Sequence, residues 1–180
     1  MVIGSRDWFS CARTASTLVA ALLLSGCAAM SYNPEPRVVK LGSAATAQNA
    51  LVLGQAYKES AGHYVCYIIK DVDGTKTFGV MEPRAPYNFF IPAGPHTFKV
   101  WSAYGNFGRS LEGDPQFSAD LRGGQVYQLY GKVYEDSNGD SLVKVWIEHL
   151  GSVAQYDAFR ERHPDEPAGH PLSKRQMTAR

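Results

Sequence analysis

Apolar and polar residues alternate along much of the second half of the chain. The repeated apolar positions are Phe117, Ala119 and Leu121, then Tyr127, Leu129 and Val133, and then Val143, Val145 and Ile147. A period of two is typical of strands that bury one face and leave the other in solvent. These three segments therefore predict half-buried antiparallel strands.

The first half of the core contains continuous apolar runs bounded by turn residues. Asp73-Gly74 and Asn138-Gly139 have the composition of hairpin turns. The eight predicted strands are 51–53, 63–70, 75–81, 87–91, 96–103, 116–122, 125–134 and 141–150, with a long connection over 104–115. This spacing predicts an all-β fold, an antiparallel β-sandwich of about seven or eight strands over 49–150. A small closed barrel is the alternative.

The residues after the predicted core, 151–180, begin with the pattern of a short helix. Ser152 and Gln155 have the spacing of a capping box, and apolar residues then recur at helical intervals as far as Phe159. Pro164 is expected to end the helix. The remaining residues, rich in proline and charge, predict a disordered tail.

The first 26 residues have the composition of an export signal. Arg6 and Arg13 precede an apolar run over 18–24, which is much shorter than the roughly 20 residues that a membrane-spanning helix needs. The next residues, Leu24-Ser25-Gly26-Cys27, resemble the bacterial lipobox. That resemblance implies cleavage before Cys27, a lipid thioether on its sulfur and a further acyl chain, such as palmitate, on the new amino group.

The residues around Cys27 indicate where a lipidated chain would reside. By the same resemblance, the absence of Asp after Cys27 favours the outer membrane, with the protein facing the periplasm. Residues 27–48 are rich in Ala, Ser, Pro and Asn, which predicts a flexible tether between the lipid and the domain.

Two segments of the core, residues 90–100 and 124–129, resemble strands of small envelope β-sandwich modules, such as transthyretin-like and PEGA-like domains. Residues 90–100 (FIPAGPHTFKV) resemble their proline-glycine-x-His-x-hydrophobic strand, although Ala93 separates the proline from the glycine. Residues 124–129 (GQVYQL) resemble their later glycine-x-x-Tyr-x-hydrophobic strand. The resemblance covers about a third of the core. It implies the sandwich fold and no active site.

The net charge of the chain argues against one class of function, nucleic-acid binding. Removing 1–26 takes away two of 18 basic residues and one of 17 acidic residues, so the remaining net charge is zero. A nucleic-acid-binding protein would have a basic surplus or stripe, so no nucleic-acid partner is predicted.

Cys11 leaves with the signal and Cys27 is lipidated, so Cys66 has no disulfide partner. It lies in an apolar strand and is expected to be a small buried hydrophobe rather than a catalytic thiol.

The residue types used in catalysis and metal binding are present without a selective spacing. Residues 136–140 (DSNGD) superficially resemble a calcium loop, but the glycine and carboxylate that such a loop needs further along are missing, which indicates a hairpin turn. His163 and His170 lie in the predicted tail, and His96 is expected to pack or hydrogen-bond at a sheet edge. No nucleophile elbow or zinc-binding helix motif occurs. We therefore predict no catalytic residue, no metal and no cofactor.

Aromatic and lysine residues recur on the predicted non-core faces of three strands. They are Lys99 and Trp101, then Tyr130, Lys132 and Tyr134, and then Lys144 and Trp146. Such a surface could stack sugar rings of peptidoglycan or contact a protein partner. The alternatives are that the C-terminal helix covers this face, or that the lysine stems and rings pack on one another.

Together these features predict a lipid-anchored, non-catalytic envelope module that serves in binding or as a scaffold, with envelope proteins as its partners. A glycan- or peptidoglycan-binding domain is the second hypothesis. An envelope hydrolase is the third, and it would need a cleft in which titratable groups converge.

Overall fold

The computed structural model describes residues 37–41, 47–60, 63–77, 86–106, 109–110, 115–139 and 141–178. The predicted signal, Cys27 and most of the predicted tether lie outside these ranges. The described residues form two β-sheets. The five-stranded sheet has the order β1 (Arg37–Lys40), β6 (Tyr87–Pro92), β2 (Asn49–Leu53), β10 (Gln125–Glu135) and β11 (Ser141–Ser152).

The six-stranded sheet follows the path β3 (Gln55–Ser60), β4 (His63–Val72), β7 (Gly94–Asn106) and β8 (Arg109–Ser110). Two further strands pair with it: β5 (Thr75–Lys76) with β4, and β9 (Gln116–Leu121) with β7. Successive strands of the chain repeatedly change sheet, as β2 and β3 do across Gly54. The main hydrophobic core contains buried side chains from both sheets, among them Phe89 and Leu129 from one and Tyr67 and Phe98 from the other. The predicted all-β sandwich is confirmed.

The structure corrects several details of the predicted sandwich. Two neighbouring pairs in the five-stranded sheet, β1 with β6 and β2 with β10, are parallel. Three strands were missed: β1 in the predicted tether, the largely polar β3, and β8 in the predicted connection. Apolar and polar side chains do not alternate clearly in these strands. They lie at sheet edges, where a strand needs fewer apolar side chains. Residues 78–81 of one predicted strand lie outside the described residues.

The C-terminal segment covers part of the outer face of the five-stranded sheet. Helix α1 (Val153–Arg162) begins at the predicted capping box, in which the Ser152 side chain accepts from the Gln155 backbone NH and the Gln155 side chain accepts from the Ser152 NH. The prediction of a disordered tail is wrong: residues 163–173 and helix α2 (Lys174–Thr178) continue across the sheet.

A second hydrophobic cluster explains why these residues are ordered. Leu172 and Met177 are buried, and they pack with Phe159 on apolar side chains of β2 and β10. Strand β2 is apolar at alternate positions on both faces, and Val126 of β10 lies in the same outer cluster, so this part of the outer face needs its own cover, and burying it offsets the entropy lost in ordering the tail.

Candidate functional site

The seven predicted contact residues lie on two different surfaces. Lys99 and Trp101 are on β7 of the six-stranded sheet, whereas the other five are on β10 and β11 of the five-stranded sheet. The outer faces of a two-layer sandwich point in opposite directions, so one ligand cannot span both groups. The predicted single platform over three strands is therefore corrected to a two-strand surface and a separate pair.

The two-strand surface is a ladder of three cross-strand pairs at one edge of the sheet, where β11 is the edge strand. Tyr130 faces Trp146, Lys132 faces Lys144, and Tyr134 faces Leu142. We call these six residues the hairpin ladder. Opposite side chains of antiparallel strands have Cβ atoms about 4.5–5.5 Å apart, so each pair is in direct contact range.

The C-terminal segment borders the inner end of the hairpin ladder. The Tyr130 hydroxyl donates to the carbonyl oxygen of Leu172, and the rings of Tyr130 and Trp146 are stacked with centroids 5.6 Å apart. Partial burial raises the pKa of Tyr130, and the nearby Glu148 carboxylate raises it further. The indole Nε1 of Trp146 donates to Glu148 Oε1 at 2.9 Å. At this end, the C-terminal segment covers part of the ladder through Leu172, and the two aromatic rings pack on each other.

The outer end of the hairpin ladder is open to solvent. Tyr134 is 45% exposed and Leu142 is 41% exposed, which places them among the three most exposed large hydrophobic residues of the described chain. Lys132 and Lys144 are also exposed. Among the described residues, no carboxylate pairs with either lysine. Two adjacent positive charges and two apolar side chains thus face solvent together.

The second surface is more enclosed. Trp101 is half-buried beside the hydrophobic core, and its cross-strand neighbour Ile68 is fully buried. Lys99 is half-buried opposite Asp71 and Gln116. These side chains contribute to packing of the sheet, and we do not include them in the hairpin ladder.

His96 forms a clamp between two turns, and its partner Asp73 could not be identified from the sequence because the two residues are 23 positions apart. Its Nδ1 lies 2.6 Å from Asp73 Oδ2, and its Nε2 lies 2.8 Å from the carbonyl oxygen of Pro92. Asp73 Oδ1 accepts from the Thr97 backbone NH at 2.8 Å. Both ring nitrogens have hydrogen-bond partners, so neither is free to accept a proton from a substrate. His96 forms hydrogen bonds as expected, although its strand β7 pairs with both β4 and β9 and is not an edge strand.

A surface depression of about 380 Å³ lies beside this clamp. Ser118 lines it, and its Oγ is 3.2 Å from Thr97 Oγ1 rather than bonded to His96. A serine nucleophile needs a base within hydrogen-bond reach, so the arrangement in the structure is a structural network and not a nucleophile–base pair.

The clamp predicts an acid-dependent loss of stability. The Thr97 backbone NH, and then the His96 side chain, lower the pKa of Asp73 below its usual 3.8. A carboxylate with a lowered pKa in the folded state stabilises the fold above its unfolded pKa, and that contribution is lost as pH falls through the folded pKa. Asp73→Asn is therefore expected to lower Tm at pH 7 by about 2–4 °C. Thermal melts should show this difference shrinking below about pH 4; a constant difference down to pH 2 would contradict it.

Three other predicted features have structural explanations. Cys66 is free and 1% exposed, and burial raises its pKa to about 12, so it is the predicted buried hydrophobe. The 136–139 segment is the predicted hairpin turn, with Asp136 Oδ1 accepting from the Asn138 NH at 2.8 Å and Gly139 at φ 84°. The rings of His163 and His170 pack on different aromatics, Phe159 and Tyr57.

Comparisons of the chain with protein-family models, with curated proteins and with solved structures find no significant match. Of the helices in the described ranges, none combines the length and the apolar composition required to cross a membrane.

Proposed function

We propose that this protein is a lipid-anchored lipoprotein of the bacterial envelope whose β-sandwich is a non-catalytic binding or scaffold module. The observation that carries the proposal is the tetrad Leu24-Ser25-Gly26-Cys27 at the end of a short apolar run. One acyl chain gives only marginal membrane binding, whereas the two or more chains implied by a lipobox anchor a protein stably. By the same resemblance, the anchor is in the outer membrane and the sandwich faces the periplasm.

Two features of the domain support a binding role rather than a catalytic one. His96, which has a carboxylate partner, has both ring nitrogens engaged. The solvent-facing end of the hairpin ladder, by contrast, presents large side chains that make no contribution to the core. Exposed apolar and aromatic groups next to charges are typical of contact surfaces.

The anchor is tested by replacing Cys27 and Cys66 separately in the full chain, expressed in a bacterial host. Cys27→Ala is expected to abolish incorporation of labelled palmitate and to move the protein from the membrane pellet to the soluble fraction. Cys66→Ala is the matched control, because its buried thiol is unavailable to a lipid-transferring enzyme. The control should retain label and sediment like the parent. Label that persists in Cys27→Ala would contradict the proposal.

A second candidate, binding of a glycan such as peptidoglycan, is favoured by one observation. The hairpin ladder places an aromatic pair and a lysine pair at consecutive positions of one face. Aromatic rings stack on the apolar faces of sugars, and lysines bind carboxylates. Retention of the protein on purified sacculi, lost when the ladder residues are replaced, would support this candidate over a purely structural role.

A further inference from the structure

We infer that the hairpin ladder is a binding site for an acidic saccharide chain, with the lysine pair contacting its carboxylates and the flanking side chains contacting its rings. This inference rests on the proposed binding function and specifies the chemistry of the ligand. It uses the exposed lysine pair and the side chains on either side of it; the C-terminal segment borders the ladder at Tyr130, through Leu172.

The charge of the ligand follows from the lysine pair. Lys132 and Lys144 are directly opposite each other, and like charges in that position destabilise a sheet. No carboxylate among the described residues neutralises them. Glu148, the nearest acidic side chain along this face of β11, is held by the Trp146 indole. An anionic group seated over the pair would relieve the repulsion, so the site is complementary to a carboxylate of a ligand.

The sugar component follows from the residues on either side. The stacked Tyr130–Trp146 pair lies one cross-strand step from the lysines, and the exposed Tyr134–Leu142 pair lies one step away on the other side. Side chains on one face repeat about every 6.8 Å, so the three pairs extend over roughly 13 Å. This alternation of apolar and positive surface matches a ligand that alternates ring faces and carboxylates, and its length suits an oligosaccharide.

Two acidic residues beside the ladder argue against a bilayer surface as the ligand. Glu135 and Asp136 follow Tyr134 at the hairpin end, and they would meet an anionic membrane first. Anionic headgroups repel carboxylates, and two apolar side chains bury too little area for stable insertion. A soluble polymer can contact the ladder from the side without meeting the hairpin end.

The test uses the full chain in detergent micelles, titrated calorimetrically with oligogalacturonate at low salt. Binding is expected, and it should weaken with added salt because exposed charge pairs are screened. The double variant Lys132→Gln/Lys144→Gln should bind about fivefold to tenfold more weakly. Its fold should be intact or slightly more stable, since it removes a repulsion. The matched control Lys58→Gln/Lys76→Gln, which removes two exposed lysines elsewhere, should bind like the parent.

Two further arms separate the saccharide from other ligands. Tyr134→Ser should weaken oligogalacturonate binding and leave the affinity for polyphosphate unchanged, because only the sugar has rings to contact. Vesicles containing anionic lipid serve as the membrane probe. The inference is overturned if oligogalacturonate does not bind, if both lysine pairs matter equally, if Tyr134→Ser has no effect, or if vesicle association depends on the ladder lysines. Each of these results leaves the palmitate and fractionation results for Cys27 unaffected, so the two proposals fail separately.

Discussion

Gly131→Ala is expected to destabilise the protein by about 3 kcal/mol, which corresponds to a drop in Tm of roughly 6–12 °C. Gly131 lies on β10, and a Cβ at this position would overlap the ring of Tyr67 from the opposite sheet. Tyr67 is fully buried between the sheets, so its ring has no free space into which to move. Overpacking of this kind forces backbone shifts or poor rotamers.

A second substitution distinguishes this clash from a general effect of changing β10. In the double variant Gly131→Ala/Tyr67→Leu, the new methyl group occupies space that the ring vacates. Its loss of stability should be smaller than the sum of the two single effects. Urea unfolding of the four proteins measures this coupling; strictly additive losses would show that the two sheets do not meet at Tyr67 and Gly131.

Gln128→Leu is expected to cost about 3 kcal/mol and to loosen the C-terminal segment before the rest of the domain unfolds. The Gln128 side chain is 1% exposed. Its Nε2 donates to the carbonyl oxygens of Leu53 and Leu129 at 3.1 and 3.0 Å, and its Oε1 accepts from the Leu172 backbone NH at 3.2 Å. Leucine has a similar volume but leaves the buried Leu172 NH without a partner. A buried donor without an acceptor lowers the free energy of unfolding by its full desolvation penalty.

Hydrogen exchange measures this effect where it should arise. Amides of Leu172 and Met177 should exchange faster in Gln128→Leu, whereas those of β4 and β7 should change little. Tyr130→Phe is the matched control, because it removes a half-buried hydroxyl that donates to the carbonyl of the same residue, Leu172. It should have a smaller effect. Unchanged exchange at Leu172 in Gln128→Leu would contradict the role assigned to this amide.

The strands that alternate strongly could be predicted from the sequence, and the weakly patterned ones could not. Tyr127, Leu129 and Val145 face the core, as the alternation of apolar and polar positions predicts, because exposing an apolar face to water is costly. Strand β3 contains mainly polar residues and is held by its pairing with β4, which is a tertiary interaction. The parallel pairing of β2 with β10 joins residues about 75 positions apart, and no local pattern encodes it.

The tail was predicted poorly because its apolar residues are sparse. Leu172 and Met177 are separated by polar residues and follow Pro171, so no helical period is visible. Their order depends on a groove provided by β2 and β10, and on the buried Gln128. A glutamine in the middle of an apolar strand was the available signal, since a buried amide requires partners from elsewhere in the chain.

The alternation placed the five contact residues of β10 and β11 opposite the core positions of their strands, but it could not assign strands to sheets. The sequence pattern groups Trp101 with Trp146 because both alternate with predicted core positions. Sheet membership depends on long-range pairing, which separated β7 from β10 and β11. The facing of Lys132 by Lys144 follows from the Asn138-Gly139 turn, because the turn fixes the register of the hairpin.

Lipidation of Cys27 is measured most directly by mass spectrometry of the N-terminal peptide of the protein purified from host membranes. The expected peptide begins at Cys27, with a diacylglyceryl group on its sulfur and a fatty acyl group on its amino nitrogen. A peptide in which residues 24–30 are uncleaved and the Cys27 thiol is unmodified would contradict lipidation of Cys27.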